Sequence, residues 1–199
     1  MDSKVRKEQE RRMLENKIVD AAVAIITEEG FSKLSIRKIA TKIGYAPGTI
    51  YNYYKNKDEI LDHIYYTVYL ETVEKVKATL AVSKNLPENE QLRMSSLIFI
   101  YTLTKYPEKF KVVMLRTKEE DSQEAPTGED KQGTDILQKM IADGKEKGLF
   151  PAATDTSAEL LLVALMGFVF HIVNNDISLD EQGKVMAEAY VDFLISGLK

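Results

Sequence analysis

The chain has no cysteine among its 199 residues. That excludes disulfides, thiol nucleophiles, zinc–thiolate sites and thiol redox sensing together, and it fits a reducing compartment. Histidine is nearly as scarce: His63 and His171 are the only two, they lie far apart, and neither has an evident partner. No metal site and no cofactor are expected, and His171, set among apolar neighbours, reads as a satisfied interior histidine. Long apolar runs are also missing. The longest near-continuous one, Leu160–Val173, has 14 residues, short of the ~20 that a membrane-spanning helix needs. The N-terminal MDSKVRKEQERRM is charged throughout and lacks the apolar centre of a secretory signal, so a cytoplasmic protein with no membrane partner is expected. GxGxxG, Walker, HExxH and GxSxG patterns are absent, and one Ser-x-x-Lys, Ser35 to Lys38, is all that an enzyme reading could stand on. No catalytic residue is expected.

Proline and glycine number only 5 and 10, β-branched residues are scattered, and apolar positions recur at three and four rather than two, so helix is predicted nearly throughout. The 44% apolar content can fill a real core. Charge is unevenly spread: residues 1–60 hold 12 Lys or Arg against 9 Asp or Glu, and residues 61–199 hold 15 against 22. Between Gly30 and Lys57 stand Lys33, Arg37, Lys38, Lys42, Lys55 and Lys57 with no acid among them. Such a stretch reads either as an ordinary solvated face or as a patch on which phosphates dock.

A first helix is predicted from about Glu8 to Glu29, with Ile18, Ala21, Ala22, Ile25 and Ile26 inward and Gly30 ending it. Ser35 caps a second, whose Ile36, Ile39, Ala40 and Ile43 face inward. Gly44 closes that helix and Pro47 opens a third. Asn56 and Glu59 form a capping box for a fourth, Lys57 to about Val82. Further helices are predicted at about Pro87–Lys105, Pro107–Lys118, Lys131–Lys147 and Asp155–Asn175, and from Ser178, whose pairing with Glu181 repeats the box spacing, to Gly197. Glu119–Asp130 carries six acids with Pro126 and Gly128. It reads as a solvated, mobile loop, the calcium-binding alternative lacking EF-hand spacing. The expected class is all-α with about nine helices.

Tyr45–Ile60 reads YAPGTIYNYYKNKDEI, rich in tyrosine and free of acid until Asp58. At ~100° per residue, Pro47, Ile50, Tyr51 and Tyr54 of the third helix share one arc that can pack. Gly48, Thr49, Asn52 and Tyr53 occupy the rest. Gly48 permits close approach, Thr49 and Asn52 offer hydrogen bonds, and Tyr53 offers a ring and a hydroxyl, a set suited to base edges and phosphate oxygens in a major groove.

The longer stretch LSIRKIATKIGYAPGTIYNYYKNKDEIL, Leu34–Leu61, resembles the helix-turn-helix signature of the TetR/AcrR family of bacterial and archaeal transcriptional regulators. A polar residue opens the second helix, an IA…G core and turn follow, then a G-T-[IL]-Y-x-[HY]-[FY] recognition helix, then a lysine opening the fourth. With IVDAAVAIITEEGF upstream, the likeness covers about Lys17–Leu61. It implies a three-helix DNA-binding domain over residues 1–60 and a helical ligand-binding and dimerisation domain over 61–199. It implies that Arg37, Gly48, Thr49 and Tyr53 lie at or near base edges, that Ser35, Tyr51 and Lys57 hold the DNA backbone, and that Asn52, at a variable position, helps set sequence preference. Packing of the third helix remains an alternative for Tyr51 and is the expectation for Tyr54. Ala46 departs from the family's usual serine or threonine, which removes one cap, and Tyr45 replaces a smaller aliphatic.

AELLLVALMGFVFHIV, Ala158–Val173, is apolar nearly all round, so as a soluble helix it must be covered on both sides. The last helix repeats the theme. A homodimer is expected in which the two helices meet their copies in a four-helix bundle through Leu161, Leu165, Gly167, Met186, Tyr190, Phe193 and Leu194; the alternative is two core helices of a monomer. The resemblance also implies a largely apolar cavity for a small-molecule effector, with Tyr65, Tyr69, Phe99, Tyr101, Phe110, Met114, Phe168 and His171 as candidate lining. The expected function is a transcriptional repressor that binds a palindromic double-stranded DNA operator as a homodimer and is released by that effector. A helical protein-binding adaptor without DNA affinity is the alternative.

Overall fold

The computed structural model describes residues 3–115 and 132–199. The acidic stretch Glu119–Asp130, with its loop and calcium readings, and the predicted end of the sixth helix lie outside them. The described residues form nine α-helices and no strand: α1 (Ser3–Glu29), α2 (Ile36–Ile43), α3 (Pro47–Tyr51), α4 (Lys57–Ser83), α5 (Glu88–Thr104), α6 (Pro107–Leu115), α7 (Gln132–Glu146), α8 (Ser157–Asn174) and α9 (Glu181–Ser196). A short 3-10 turn, Phe31–Lys33, follows α1. Two compact units result. The first takes Met1–Val68 and Glu108–Thr117, the second Tyr69–Pro107 and Lys118–Lys199. The expected boundary at residue 60 falls short of this division, because Ile60, Leu61 and Ile64 of α4, together with Val112 of α6, are buried in the core of the first unit.

That core is built by Ile18, Ala22 and Ile25 of α1, Ile39 of α2 and Ile50 of α3, all at most 2% exposed. The local punctuation follows from side-chain chemistry. Ser35 adopts extended backbone and accepts the Lys38 N–H at 3.3 Å, capping α2. At the other end Gly44 takes the left-handed conformation (φ 74°) that costs other residues free energy. The Tyr45 N–H reaches back to the Ala40 carbonyl at 2.9 Å, so α2 ends in a Schellman turn and the chain reverses into α3. Pro47 opens α3, and Ala46 supplies no side-chain cap. Asn56 accepts the Glu59 N–H at 2.9 Å, while the Glu59 carboxylate accepts from Lys55 N at 2.7 Å, one residue before the partner that a capping box predicts.

In the second unit α5 packs against α7, α8 and α9. The Arg93 guanidinium of α5 ties to α9 through Asp192 at 2.6 Å and Glu188 at 3.3 Å. The Phe168 and Tyr190 rings stack 4.4 Å apart, and the Tyr190 hydroxyl donates to the Ala164 carbonyl at 2.9 Å, joining α9 to α8. The cap of α9 differs from expectation. Asp180, not Ser178, accepts the Gln182 and Gly183 N–H groups at 3.0 and 3.2 Å. A Cβ on Gly183 would lie 2.1 Å from the Ser178 carbonyl oxygen, so the start of α9 presses on the backbone of Ser178 and the helix opens two residues later. α8 extends beyond the apolar run seen in the sequence. Among the described residues it is the one helix long and apolar enough to cross a membrane by length and composition, and 44% of it is buried inside the chain.

Candidate nucleic-acid interface

α3 is seated through very few atoms. Ile50 is fully buried and Tyr54, just past the helix end, is 6% exposed, while the Tyr54 N–H still bonds to the Ile50 carbonyl at 3.0 Å. Tyr51, placed by helical periodicity on the packing arc, is 57% exposed, and Pro47 is exposed too. The reason is the shortness of the helix: a five-residue element resting on α2 presents a contact strip one residue wide, narrower than a 100° sector. Gly48, Tyr51 and Asn52 therefore point outward, with Thr49 half-buried beside them. Tyr53, predicted to be free, is partly packed on the core, and the Arg11 guanidinium lies 6.0 Å from its ring centre.

Gly48 serves no internal need, since a Cβ there would meet nothing within 4 Å. The Tyr54 hydroxyl is the opposite case. It is buried with no hydrogen-bond partner among the described residues, and burial is the main cause that pushes its pKa up to about 12. Ser35 spends its hydroxyl on the α2 cap, Arg37 is exposed beside it, and Lys57 stands half-buried at the first position of α4.

The basic stretch is partly balanced in space. Lys38 is ion-paired with Glu29, Lys42 with Glu28 at 2.9 Å, and Lys55 with Glu59 at 3.4 Å. The Lys38 hydrogen bond is the leading cause that holds the Glu29 carboxyl below its ordinary pKa. Lys33, Arg37 and Lys57 make no ion pair among the described residues. Sequence reasoning missed Glu28 and Glu29 because they precede Gly30; their place in the last turn of α1, next to the turn into α2, was the available signal. Arg11 was missed as well.

The expected effector-lining residues divide between the two units. Tyr65, Phe110 and Met114 belong to the first unit, where Phe110 is buried, Met114 is 40% exposed, and Tyr65 meets the Tyr66 ring edge-on at 5.5 Å. Tyr69, Phe99, Tyr101, Phe168 and His171 belong to the second. There the Tyr69 hydroxyl accepts from Gly133 N at 3.1 Å, and Phe168 is committed to the stack with Tyr190. His171 is exposed and faces Asn175 at 3.2 Å, which corrects the interior reading. Its helix turns that flank outward. Tyr101 alone of the set lines an open cavity of about 490 Å³, together with Thr104, Lys105, Ile172, Val173, Asp176, Ile177, Leu179 and Lys184.

Among the expected dimerisation residues, Leu161 and Leu165 are buried within their own unit, and Met186, Tyr190 and Leu194 are half-buried. Gly167 and Phe193 are exposed, Phe193 at 72%. The outward apolar stripe of α8 is instead Leu160, Val163 and Phe170, with Gly167 between them, and Val185 joins Phe193 on α9. The three-four-three spacing of that stripe was legible; which of two apolar stripes faces inward was not.

Residues 18–64 match the family described as "Bacterial regulatory proteins, tetR family". The chain is 52% identical over 44 residues to the fatty acid metabolism regulator protein of Bacillus subtilis (22% of this chain, 23% of that protein). It is 38% identical over 65 residues to an uncharacterized HTH-type transcriptional regulator of Haemophilus influenzae (31% and 35%). The matched stretches thus span about a quarter to a third of the length of these curated relatives. Over nearly the whole chain the fold is similar to that of the fatty acid degradation regulator FadR from Bacillus halodurans: TM-score 0.75 and 25% identity, covering 92% of this chain and 99% of that one.

Proposed function

Through residues 18–64 the chain belongs to the tetR family of bacterial regulatory proteins, and on that premise we propose that it is a cytoplasmic repressor that binds a palindromic operator as a homodimer and is released by a small, largely apolar effector. The observation that carries the DNA-binding part is α3 itself. It is held from beneath by Ile50 and Tyr54, and it presents Gly48, Tyr51 and Asn52 outward with a bare Cβ position at Gly48. A surface that leaves space at its centre and offers an amide and a phenol around it suits a groove floor.

Gly48, Thr49 and Asn52 then face base edges; Ser35, Arg37, Tyr51, Tyr53 and Lys57 serve the flanking backbone and the rim of the groove. Two half-sites are reached when the exposed stripe of α8 and α9 closes on a second copy, Gly167 allowing the helices to approach closely. Effector binding in the second unit shifts the dimer toward a spacing that no longer fits both half-sites, to the extent that ligand prefers that state. The names of the Bacillus relatives support fatty acid metabolism as the first process in which to look for target genes.

The test is selection from a random duplex library followed by titration of the winning sequence. Asn52→Ala should change which sequences win. Tyr51→Ala and Lys57→Ala should weaken all sequences alike; Lys57→Ala, which removes one cation from each of two subunits, should lower the salt slope by about 2, while Tyr51→Ala, which removes no charge, should leave it nearly unchanged. Equal effects of both sets, or a wild-type protein whose binding ignores salt, would defeat the assignment.

A further inference from the structure

α3 is seated along a line. Ile50 and Tyr54, four residues apart and so one above the other on the same side, carry its burial. A strip of that kind resists lifting and tilting, yet it resists rolling about its own axis only weakly. No side chain caps the helix at Ala46, so its first turn has no such tether. Across a helix ~10 Å wide with its side chains, a roll of ~10° carries the outward tips by roughly 2 Å, well beyond the ~0.5 Å over which a hydrogen bond stays good. Reading base edges needs a stop against that roll.

A stop stands at the C-terminal end. The Tyr53 N–H bonds to the Ile50 carbonyl at 2.9 Å, as the Tyr54 N–H does at 3.0 Å, so the Tyr53 ring sits beside the strip and not on it. Part of Tyr53 packs on the core, and the Arg11 guanidinium of α1 stands 6.0 Å from its ring centre, within the range of a cation–π contact. Arg11 is itself fixed: its Nε donates to Glu15 at 3.0 Å, one turn along α1, and Glu15 is half-buried. Burial first, then the Glu15 carboxylate, raise the Tyr54 pKa, and Arg11 opposes them; the pair therefore lies close to both tyrosines that end α3. The Tyr53 hydroxyl makes no hydrogen bond among the described residues and stays available. Because Glu15 balances Arg11, the pair is neutral and its contribution is geometric, not a general pull on phosphates. We propose that Arg11, braced by Glu15, is a positioning residue for the recognition helix: it holds the Tyr53 ring, stops α3 from rolling about the Ile50–Tyr54 line, and so sets how sharply the protein tells one base sequence from another. The proposal rests on the DNA-binding reading above and adds a residue that acts through Tyr53.

A duplex selected by the wild type from a random library and a scrambled duplex of the same composition are titrated at one salt concentration. The proteins are the wild type, Arg11→Met, Glu15→Leu, Tyr53→Leu, and Tyr53→Leu combined with each of the first two. The readout is the ratio of the two affinities, in which a change of net charge cancels because it acts on both duplexes alike. Arg11→Met lowers the ratio about two- to five-fold per subunit, and so roughly ten-fold where two half-sites are read. Glu15→Leu raises the net charge and tightens the scrambled duplex, yet it lowers the ratio too. In the Tyr53→Leu background neither change has a further effect. Circular dichroism sets the titration temperature below every variant's unfolding transition; should Arg11→Met not fold, Glu15→Leu and its combination with Tyr53→Leu carry the test. An unchanged ratio in Arg11→Met and Glu15→Leu, even with a lowered thermal midpoint, overturns the proposal, since a purely structural pair moves stability alone. An effect of the same size without Tyr53 overturns it as well. A wild type that selects no sequence from the library overturns the DNA-binding reading, and this proposal with it.

Discussion

Gly48 is a glycine that the fold does not use. Inside a helix it weakens the backbone, and no neighbour lies within 4 Å of the Cβ it lacks. Gly48→Ala should therefore stabilise the protein by about 0.5–1 kcal/mol in urea unfolding, while weakening operator binding in a gel shift, since the added methyl occupies space meant for the groove floor. Tyr54 makes a complementary case. Its ring is core and its hydroxyl is an unpaired polar group, so Tyr54→Phe should raise stability by about 1 kcal/mol. Its pKa of about 12 in the folded chain lies above the ordinary 10.0. Below pH 10 both folded and unfolded chains hold the proton; above it the unfolded chain ionises first, and stability falls between about pH 10 and 12. Urea midpoints of wild type and Tyr54→Phe at pH 8 and pH 11 should show the variant losing less. At this scale the sequence told well what each side chain offers and less well where it points. Tyr51 and Tyr53 exchanged their expected exposures because α3 is too short for its wheel to average over neighbours.

Helix boundaries are decided by the few residues on either side of them, and most were readable for that reason. Ser35, Gly44, Pro47 and Asn56 sit where their side-chain or φ preferences end or begin a helix, and α2, α3 and α4 follow. Two ends escaped. α1 starts at Ser3 because i,i+4 pairs between arginine and glutamate support turns that have no apolar stripe to betray them. α9 starts at Glu181 because Asp180 accepts the first free N–H groups and the chain folds Ser178 back against Gly183, a local turn that the Ser178–Glu181 spacing did not reveal. The second point is open to a direct check: Asp180→Ala should lower stability by about 1 kcal/mol by removing the acceptor for two N–H groups, whereas Ser178→Ala should leave the thermal midpoint nearly unchanged. A larger loss for Ser178→Ala would restore the capping box read from sequence.

For the molecule as a whole, the proposed homodimer rests on an apolar surface that one chain leaves bare. Phe193 is 72% exposed, and Leu160 and Val163 nearly as much, so charging that surface should leave the chain's own core untouched. Phe193→Glu should sediment as a monomer at concentrations where wild type is a dimer. It should keep its helix content and lose at least ten-fold in operator affinity, because two linked half-sites bind far better than one. A Phe193→Glu dimer with wild-type affinity would place the interface elsewhere.

The sequence by itself determined the helical class, the punctuation of the N-terminal helices and the helix-turn-helix motif. Each of these depends on neighbours along the chain: a cap on three residues, a turn on one glycine, a motif on about forty. Tertiary structure alone decided which stripe of α8 became core, which lysines of the basic stretch met Glu28 and Glu29, and that α6 joined the first unit. Those outcomes depend on which surfaces meet across distant parts of the chain, and an all-round apolar helix or a distant carboxylate carries no local mark of the partner it will find.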